Sequence, residues 1–465
     1  MTTELNLRLL PSDNELYRDI IKPGQYIRTL HPYGYVYRLP EGAEVHTVRH
    51  QAHLLSHAER EQFTEKITIE NEGVDDKITA AFTAGLLLGR YQPGFWKSEE
   101  QLHPLAAAGS LITFSHDSSA LASAYLRERT LVDTQMEIMA LVDAPANIKR
   151  PQYLAAWAEK SGKKYGYDVQ VLDKAACEAE GLGALLAVNR GSEDPARFII
   201  MQYKYQETGA AAGAGEGTEQ DQTPLRKIAI IGKGITFDTG GVSIKGSQNL
   251  HLMKSDMGGA AAVFGTMEAI AKLKVKAHVI GIVPATDNSV DALSIKPSDV
   301  ITGHSGKTIE IIDTDAEGRL VMSDGLSYAN KYFQPDYLLD IATLTGSAVR
   351  TFGYECGALM SKNQAMSDAL LAAGTASGEK LWPLPTWDAY RAGLDSDVAD
   401  IKNYSGRPIN GAIDAFKFLE FFTDEHPAFA HLDIAGVALK QGPFAKDRQA
   451  TGFGMRLLVE WLEGL

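Results

Sequence analysis

Hydrophobic and polar positions along this chain alternate between two rhythms, one of about 3.6 residues and one of short apolar runs. Near the start, "YGYVYRLP" reads as a strand and "KITAAFTAGLLLGRYQ" as a helix. The longer stretch "SALASAYLRERTLVDTQMEIMALVDAPANI" carries helical spacing and stops at Pro145, a Pro-marked turn. Beyond Pro151 the two rhythms alternate. "QYLAAWAEKSGKKYG" is a helix, "YDVQVLD" a strand, "ACEAEGLGALLAVNRG" a helix and turn, and "RFIIMQYKY" a strand. Then come the strand "KIAIIGKGITFD", the small-residue helix "GGAAAVFGTMEAIAKL" and the strand "VKAHVIGIVPATDN". "KTIEIIDTDA" (strand), "GRLVMSDGLSYANKYF" (helix) and "DYLLDIATLTG" (strand) complete the series. Several of these strands are apolar throughout, as strands covered on both faces are. The expected fold is α/β, a mostly parallel or mixed sheet flanked by helices in a C-terminal domain, with a smaller α/β N-terminal domain. The expected boundaries are 1–130 for the N-terminal domain, 131–150 for a linking helix and turn, and 151–465 for the C-terminal domain. Between two strands lies "ETGAAAGAGEGTEQDQTP", polar, rich in Gly and Ala and without periodicity, which reads as a flexible surface loop.

Composition narrows the functional classes. A length of 465 residues suits two domains, or one large domain with an appendage. The formal net charge of −14 argues against a general nucleic-acid or membrane-surface role, because both polyanions would be repelled. The two cysteines, Cys177 and Cys356, form no CxxC or Cys/His spacing, which points to structural thiols in a reducing compartment. The start "MTTELNLRLLPSDNE" lacks a basic segment followed by an apolar core, and no apolar run approaches about 18 residues. The expectation is a cytoplasmic protein.

Ligands of open α/β sheets bind outside the carboxyl ends of the strands. Asp238, Asp315 and Thr343 are expected at such ends. Three segments there concentrate oxygen donors and basic residues: "GKGITFDTGGVSIKG" with Lys233, Asp238 and Lys245, "HLMKSDMGGAAAV" with Asp256, and "DTDAEGR" with Asp315, Glu317 and Arg319. Four carboxylates converge only if cations compensate them, and hard carboxylates favour magnesium, manganese or zinc. Of the twelve histidines only His251 lies in these segments, which argues against a His-rich zinc site. Four acids exceed the usual need of one catalytic metal, and a pair of metals sharing carboxylates suits hydrolysis. Taken singly, each acid reads equally well as a solvated turn residue or a helix cap. Lys233 sits in an apolar strand context; near a dication its amine would be neutral and would ligate metal, and otherwise it pairs with an acid. Lys245 is suited to an oxyanion and Arg319 to a small planar anion or a carboxylate, each with an ordinary salt bridge as the alternative. "GKGITFDTGG" contains neither dinucleotide nor P-loop spacing, and there is no G-x-S-x-G nucleophile turn.

From about residue 135 to its end the chain closely resembles the leucyl aminopeptidase (M17, cytosol aminopeptidase) family. The resemblance rests on "DTDAEGRL" (Asp313 to Leu320), on Gly232 to Gly241 and on Met253 to Ala261. It extends through "DIATLTG", "DIKN", "HLDIAG" and "ATGFGMRLL". It implies a metal-dependent exopeptidase, a hydrolase that removes N-terminal residues, leucine and other apolar types preferred, from peptides with a free N-terminus. By position, Lys233, Asp238, Asp256 and Glu317 would hold a tightly bound metal, and Asp238, Asp315 and Glu317 a more exchangeable one. The ions would be manganese or zinc, with magnesium a further candidate. Lys245 would bind the substrate carbonyl, and Arg319 would hold a bicarbonate acting as general base on a metal-bridging water. Met253, Thr343, Leu344 and Gly346 would line the substrate cleft. The resemblance further implies a homohexamer. Two positions depart from the family pattern. Asp313 replaces the usual Asn of the hallmark, adding charge near the metals, and Ala438 stands where some relatives carry a bulkier Met, implying a roomier side-chain pocket. A Cys-Gly or other dipeptidase fits the same motifs, and a DNA-binding regulatory role is the non-enzymatic alternative.

Overall fold

A computed structural model of the chain describes residues 4–15, 17–93, 96–98, 102–206, 225–441 and 448–465. The segment 207–224, expected to be a surface loop, lies outside the described residues. The chain divides into two compact units. One comprises Met1–Glu137 with Ala376–Gly378 and Gln441–Gln449, and the other Ile138–Thr375, Glu379–Lys440 and Ala450–Leu465. Among the described residues no helix is long and apolar enough to cross a membrane.

In the first unit a five-stranded sheet runs in the order Tyr26–Leu30, Tyr33–Arg38, Leu5–Leu10, Lys66–Glu70, Leu111–Phe114. Only the Tyr26–Leu30 edge is antiparallel. Alternate residues Leu5, Leu7 and Leu9 are buried, the period-2 pattern of a strand with one face in a core. Asp75 caps the helix Asp76–Leu88 by accepting from the backbone N–H groups of Lys77 and Ile78.

The second unit is built on a nine-stranded mixed sheet. Its centre is four parallel strands: Phe429–Asp433, Tyr337–Ala342, Lys227–Gly232 and His278–Asn288. Antiparallel pairings attach Gly357–Ser361 on one side and Arg197–Lys204 on the other. The isoleucine run Ile228, Ile230, Ile231 is buried on both faces, as its lack of alternation predicts. A Cβ on Gly232 would meet Gly259 and Val263 of the helix Gly258–Leu273, whereas Ile231 touches Gly325 of the helix Glu317–Phe333. Consecutive strand residues point to opposite faces, so these two helices cover the sheet from opposite sides. The glycines of "GGAAAVFG" permit that packing: a Cβ on Gly259 would lie 2.0 Å from the Ile341 carbonyl oxygen.

Two strands differ from expectation. "KIAIIGKGITFD" is two strands, Lys227–Gly232 and Gly234–Asp238, broken at Lys233. There the Lys233 N–H donates to the Ile341 carbonyl (3.2 Å) and the Lys233 carbonyl accepts from the Ala260 N–H (2.9 Å). Among the described residues the second piece pairs only with His278–Asn288. "KTIEIIDTDA" forms a strand only at Thr308–Glu310, in a separate three-stranded sheet with Val300–Thr302 and Ile401–Lys402. Beyond it Asn403 takes over the backbone: its amide oxygen accepts from Ile312 (2.8 Å) and Asp313 (3.3 Å), and its amide nitrogen donates to the Asp313 carbonyl (2.6 Å). Asp315 therefore sits on the turn leading into the helix Glu317–Phe333, not at the end of a main-sheet strand.

Candidate metal centre

The strand break at Lys233, the strand end at Asp238, and the starts of two helices bring the candidate residues to the carboxyl edge of the central strands. Asp238 closes its strand with Oδ1 occupied, accepting from the Gly240 N–H (2.8 Å) and the Asn288 amide (2.8 Å). Its Oδ2 faces Lys245 Nζ at 2.8 Å. Gly240 and Gly241 both take positive φ, and a Cβ on Gly240 would stand 2.6 Å from the Ser243 carbonyl. That turn brings the chain back so that Lys245 Nζ reaches Asp315 as well. Asp256 precedes the helix Gly258–Leu273, and Glu317 opens the helix Glu317–Phe333, so the positive ends of two helix dipoles favour these acids.

The carboxylates of Asp238, Asp315 and Glu317 each offer an oxygen within 4.8 Å of the others. Lys233, 3 % exposed, places Nζ 2.8 Å from Asp256 Oδ2 and 2.8 Å from Glu317 Oε1. Among the described residues these buried oxygens have no further hydrogen-bond partner, so each relies on its close ion pair with Lys233. The Lys233 ammonium also donates to the Thr343 carbonyl (3.1 Å). Gly318 makes this possible: a Cβ there would fall 2.5 Å from Lys233 Cε and 2.6 Å from its Nζ.

Electrostatics show what this cluster lacks. Burial raises the pKa values of Asp256, Asp315 and Glu317, and their mutual repulsion and that of Asp238 raise them further; the two lysines only partly offset this. Burial disfavours charge on Lys233 and Lys245, yet the surrounding carboxylates outweigh it and hold both above the ordinary lysine range. Four acids face two ammonium groups. Hard oxygen donors in excess of positive charge, with buried oxygens that rely on Lys233 alone, fit divalent cations. Lys233, Asp238, Asp256, Asp315 and Glu317 are the residues that would hold them.

Arg319 is buried; its Nη1 donates to the Asn403 carbonyl (3.0 Å) and its Nε is in no hydrogen bond. Burial lowers its pKa while Asp414, Glu317, Asp433 and Asp313 pull it back. The unused guanidinium edge fits a small planar anion. Asp313 Oδ1 accepts from the Asp315 N–H (2.9 Å), a turn contact that an Asn oxygen would make equally well. Thr343 follows the strand Tyr337–Ala342 and donates its hydroxyl to Asp256 Oδ1 (2.8 Å). Leu344 reaches Gly318, and Gly346 begins the short helix Gly346–Phe352. Met253 lies on the same helical segment, Leu250–Ser255, that leads to Asp256. Ala438 and Thr343 both flank Gly258.

Four contributors were not assigned from sequence: Asn288, Asn403, Thr314 and Asp433. Asn288 also donates to the Thr314 carbonyl (3.1 Å), and the Thr314 hydroxyl donates to the Gly240 carbonyl (2.7 Å). "DIKN" and "HLDIAG" marked two of these residues, but a side chain that binds backbone leaves no periodic signal.

Residues 138–459 match the Peptidase M17 model, described as the catalytic domain of the cytosol aminopeptidase family. The chain belongs to this family. A probable cytosol aminopeptidase of Chlorobium limicola is 44 % identical over 323 residues, covering 70 % of this chain and 61 % of the relative. One from a Geobacter species is 39 % identical over 389 residues, covering 83 % and 75 %. The matched region thus spans about three-fifths of the length of the Chlorobium cytosol aminopeptidase. Among solved structures, the bottromycin maturation enzyme BotP in complex with Mn superposes with a TM-score of 0.85. It is 28 % identical and matches over 100 % of this chain and 99 % of its own. Residues 233, 238, 245, 256, 315, 317 and 319 all fall inside the region assigned to the cytosol aminopeptidase family.

Proposed function

We propose that this protein is a dinuclear-metal-dependent aminopeptidase that removes N-terminal residues, apolar ones preferentially, from peptides. The observation that carries this reading is the carboxylate triad Asp238, Asp315 and Glu317, gathered within 4.8 Å and short of positive charge. Membership of the cytosol aminopeptidase family supports the reaction, and the manganese complex of the structural neighbour supports manganese among the candidate ions. In this reading Lys233, Asp238, Asp256 and Glu317 hold one ion, and Asp238, Asp315 and Glu317 the other. Two such cations would polarise the scissile carbonyl and acidify the attacking water. Bicarbonate held by Arg319 would supply a general base.

The chain's own residues do the rest. Lys245, kept charged by Asp238 and Asp315, presents an ammonium to the carbonyl oxygen as negative charge develops on it. The acidic cluster favours a free α-amine over a blocked one. Met253, Thr343, Leu344 and Gly346 line the cleft, and the small Ala438 beside Gly258 leaves room for a large side chain. The protein acts as a homohexamer in the cytoplasm.

The test is turnover of a panel of aminoacyl anilides with manganese, zinc or magnesium, before and after chelation. Cleavage that needs metal and vanishes with N-acetylated substrates supports the reading. Metal-independent turnover, or none with any ion, removes it. Comparing dipeptides with tripeptides separates a general aminopeptidase from a dipeptidase.

A further inference from the structure

We propose that Asp433 is a positioning residue for the substrate side of this centre, fixing the course of the segment Thr343–Gly346. The inference rests on the reading above, in which that segment lines the cleft. The strand Tyr337–Ala342 ends with Ala342 opposite Asp433 on the neighbouring parallel strand. One more rung follows, from the Ile434 N–H to the Ala342 carbonyl (2.8 Å), and the segment beyond then leaves the sheet. The next backbone donors turn onto a single carboxylate. Asp433 Oδ1 accepts from the N–H groups of Leu344 (3.2 Å), Thr345 (3.4 Å) and Ala435 (3.2 Å). Its Oδ2 accepts from the Thr345 hydroxyl (2.6 Å).

Asp433 is fully buried, and among the described residues it has no ion-pair partner within 4.0 Å. A buried carboxyl group is tolerated only where hydrogen bonds satisfy its oxygens. Here three of the four hydrogen bonds come from one bend of the chain, Ala435 gives the fourth, and Arg319 adds attraction at longer range. Thr345 extends the hold: its hydroxyl oxygen accepts from the Ala348 N–H (3.0 Å) and so starts the helix Gly346–Phe352. The opposite flank of the same bend is held by the metal centre, through Thr343 to Asp256 and through Lys233 to the Thr343 carbonyl. Thr343 and Leu344 are thus set between two anchors. Releasing Asp433 frees the substrate side while the ligand side keeps its own contacts.

The experiment compares Asp433→Ala, Thr345→Val and Thr345→Ser with the wild type in metal content, KM and kcat for a dipeptide and a tripeptide, and amide exchange of residues 343–348. Asp433→Ala is expected to raise KM at least about tenfold with metal content unchanged. Thr345→Val moves in the same direction, and Thr345→Ser, which keeps the hydroxyl, restores KM to within about threefold of wild type. A folded, metal-loaded Asp433→Ala enzyme with wild-type KM and kcat overturns the proposal. If that variant does not fold, the Thr345 pair decides: Val impaired with Ser normal supports it, and Val unchanged overturns it. If the wild-type protein cleaves no peptide, the functional reading fails on its own. The anchoring is then read from exchange, which is faster at 343–348 in Thr345→Val if Asp433 holds the bend and unchanged if it does not.

Discussion

Gly318 shows how one absent methyl group shapes the centre. A Cβ there would overlap Lys233 Cε and Nζ, so alanine would drive the lysine from its place between Asp256 and Glu317. Gly318→Ala is therefore expected to fold but to bind metal at least about tenfold more weakly, as read by metal titration under competing chelator. Lys245→Ala leaves the triad intact; kcat should fall about 10² to 10³-fold with metal content retained, and an unchanged kcat would remove Lys245 from its role. Asp256→Ala should lose metal, which elemental analysis of the purified variant measures. At this scale the acids and lysines were legible because their chemistry demands partners whatever the backbone does. Gly318, Asn288 and Asn403 were not, because their contribution is space or a backbone hydrogen bond that exists only after folding.

Elements were legible where a period ran long enough. The helices Gly258–Leu273 and Glu317–Phe333 and the strand Tyr337–Ala342 follow the spacing of their apolar residues. The misread strands share a cause: apolar, β-branched composition persists where the backbone leaves the ladder, at Lys233 and after Glu310, because tertiary hydrogen bonds replace strand pairing there. Asp324 on the helix Glu317–Phe333 makes a testable tie between elements. Its carboxylate accepts from the N–H groups of Ala184, Leu185 and His304, and burial raises its pKa to about 7 against their pull. A pKa raised in the folded state gives stability that is full below the unfolded value near 4 and is lost as pH rises through about 7. Asp324→Asn puts a donor where an acceptor stood and should cost about 1–3 kcal/mol at low pH. The wild-type advantage should shrink between pH 4 and 7 in paired denaturation curves; a constant gap would remove Asp324 as the titrating group.

Over the whole molecule, the candidate site residues belong to one unit, and one family match spans them from 138 to 459. The net charge of −14 predicts no salt-dependent shift of duplex DNA in a gel, and such a shift would restore a nucleic-acid role. Chelation should lower Tm along with activity, and re-added manganese should restore both, because an ion bound only by the folded state stabilises it by mass action. An unchanged Tm on stripping would mean that the carboxylates hold no tightly bound ion.

Lys233 gives that stripping experiment its other half. With its nitrogen 2.8 Å from two buried carboxylates and its charge held on by them, Lys233 supplies positive charge to the same oxygens that would ligate an ion. If a dication binds there through the Lys233 amine, loading should release a hydron and be weaker in acidic medium, and the hydrons released can be counted by calorimetry in buffers of differing ionisation enthalpy; no release would mean that the amine is not a ligand.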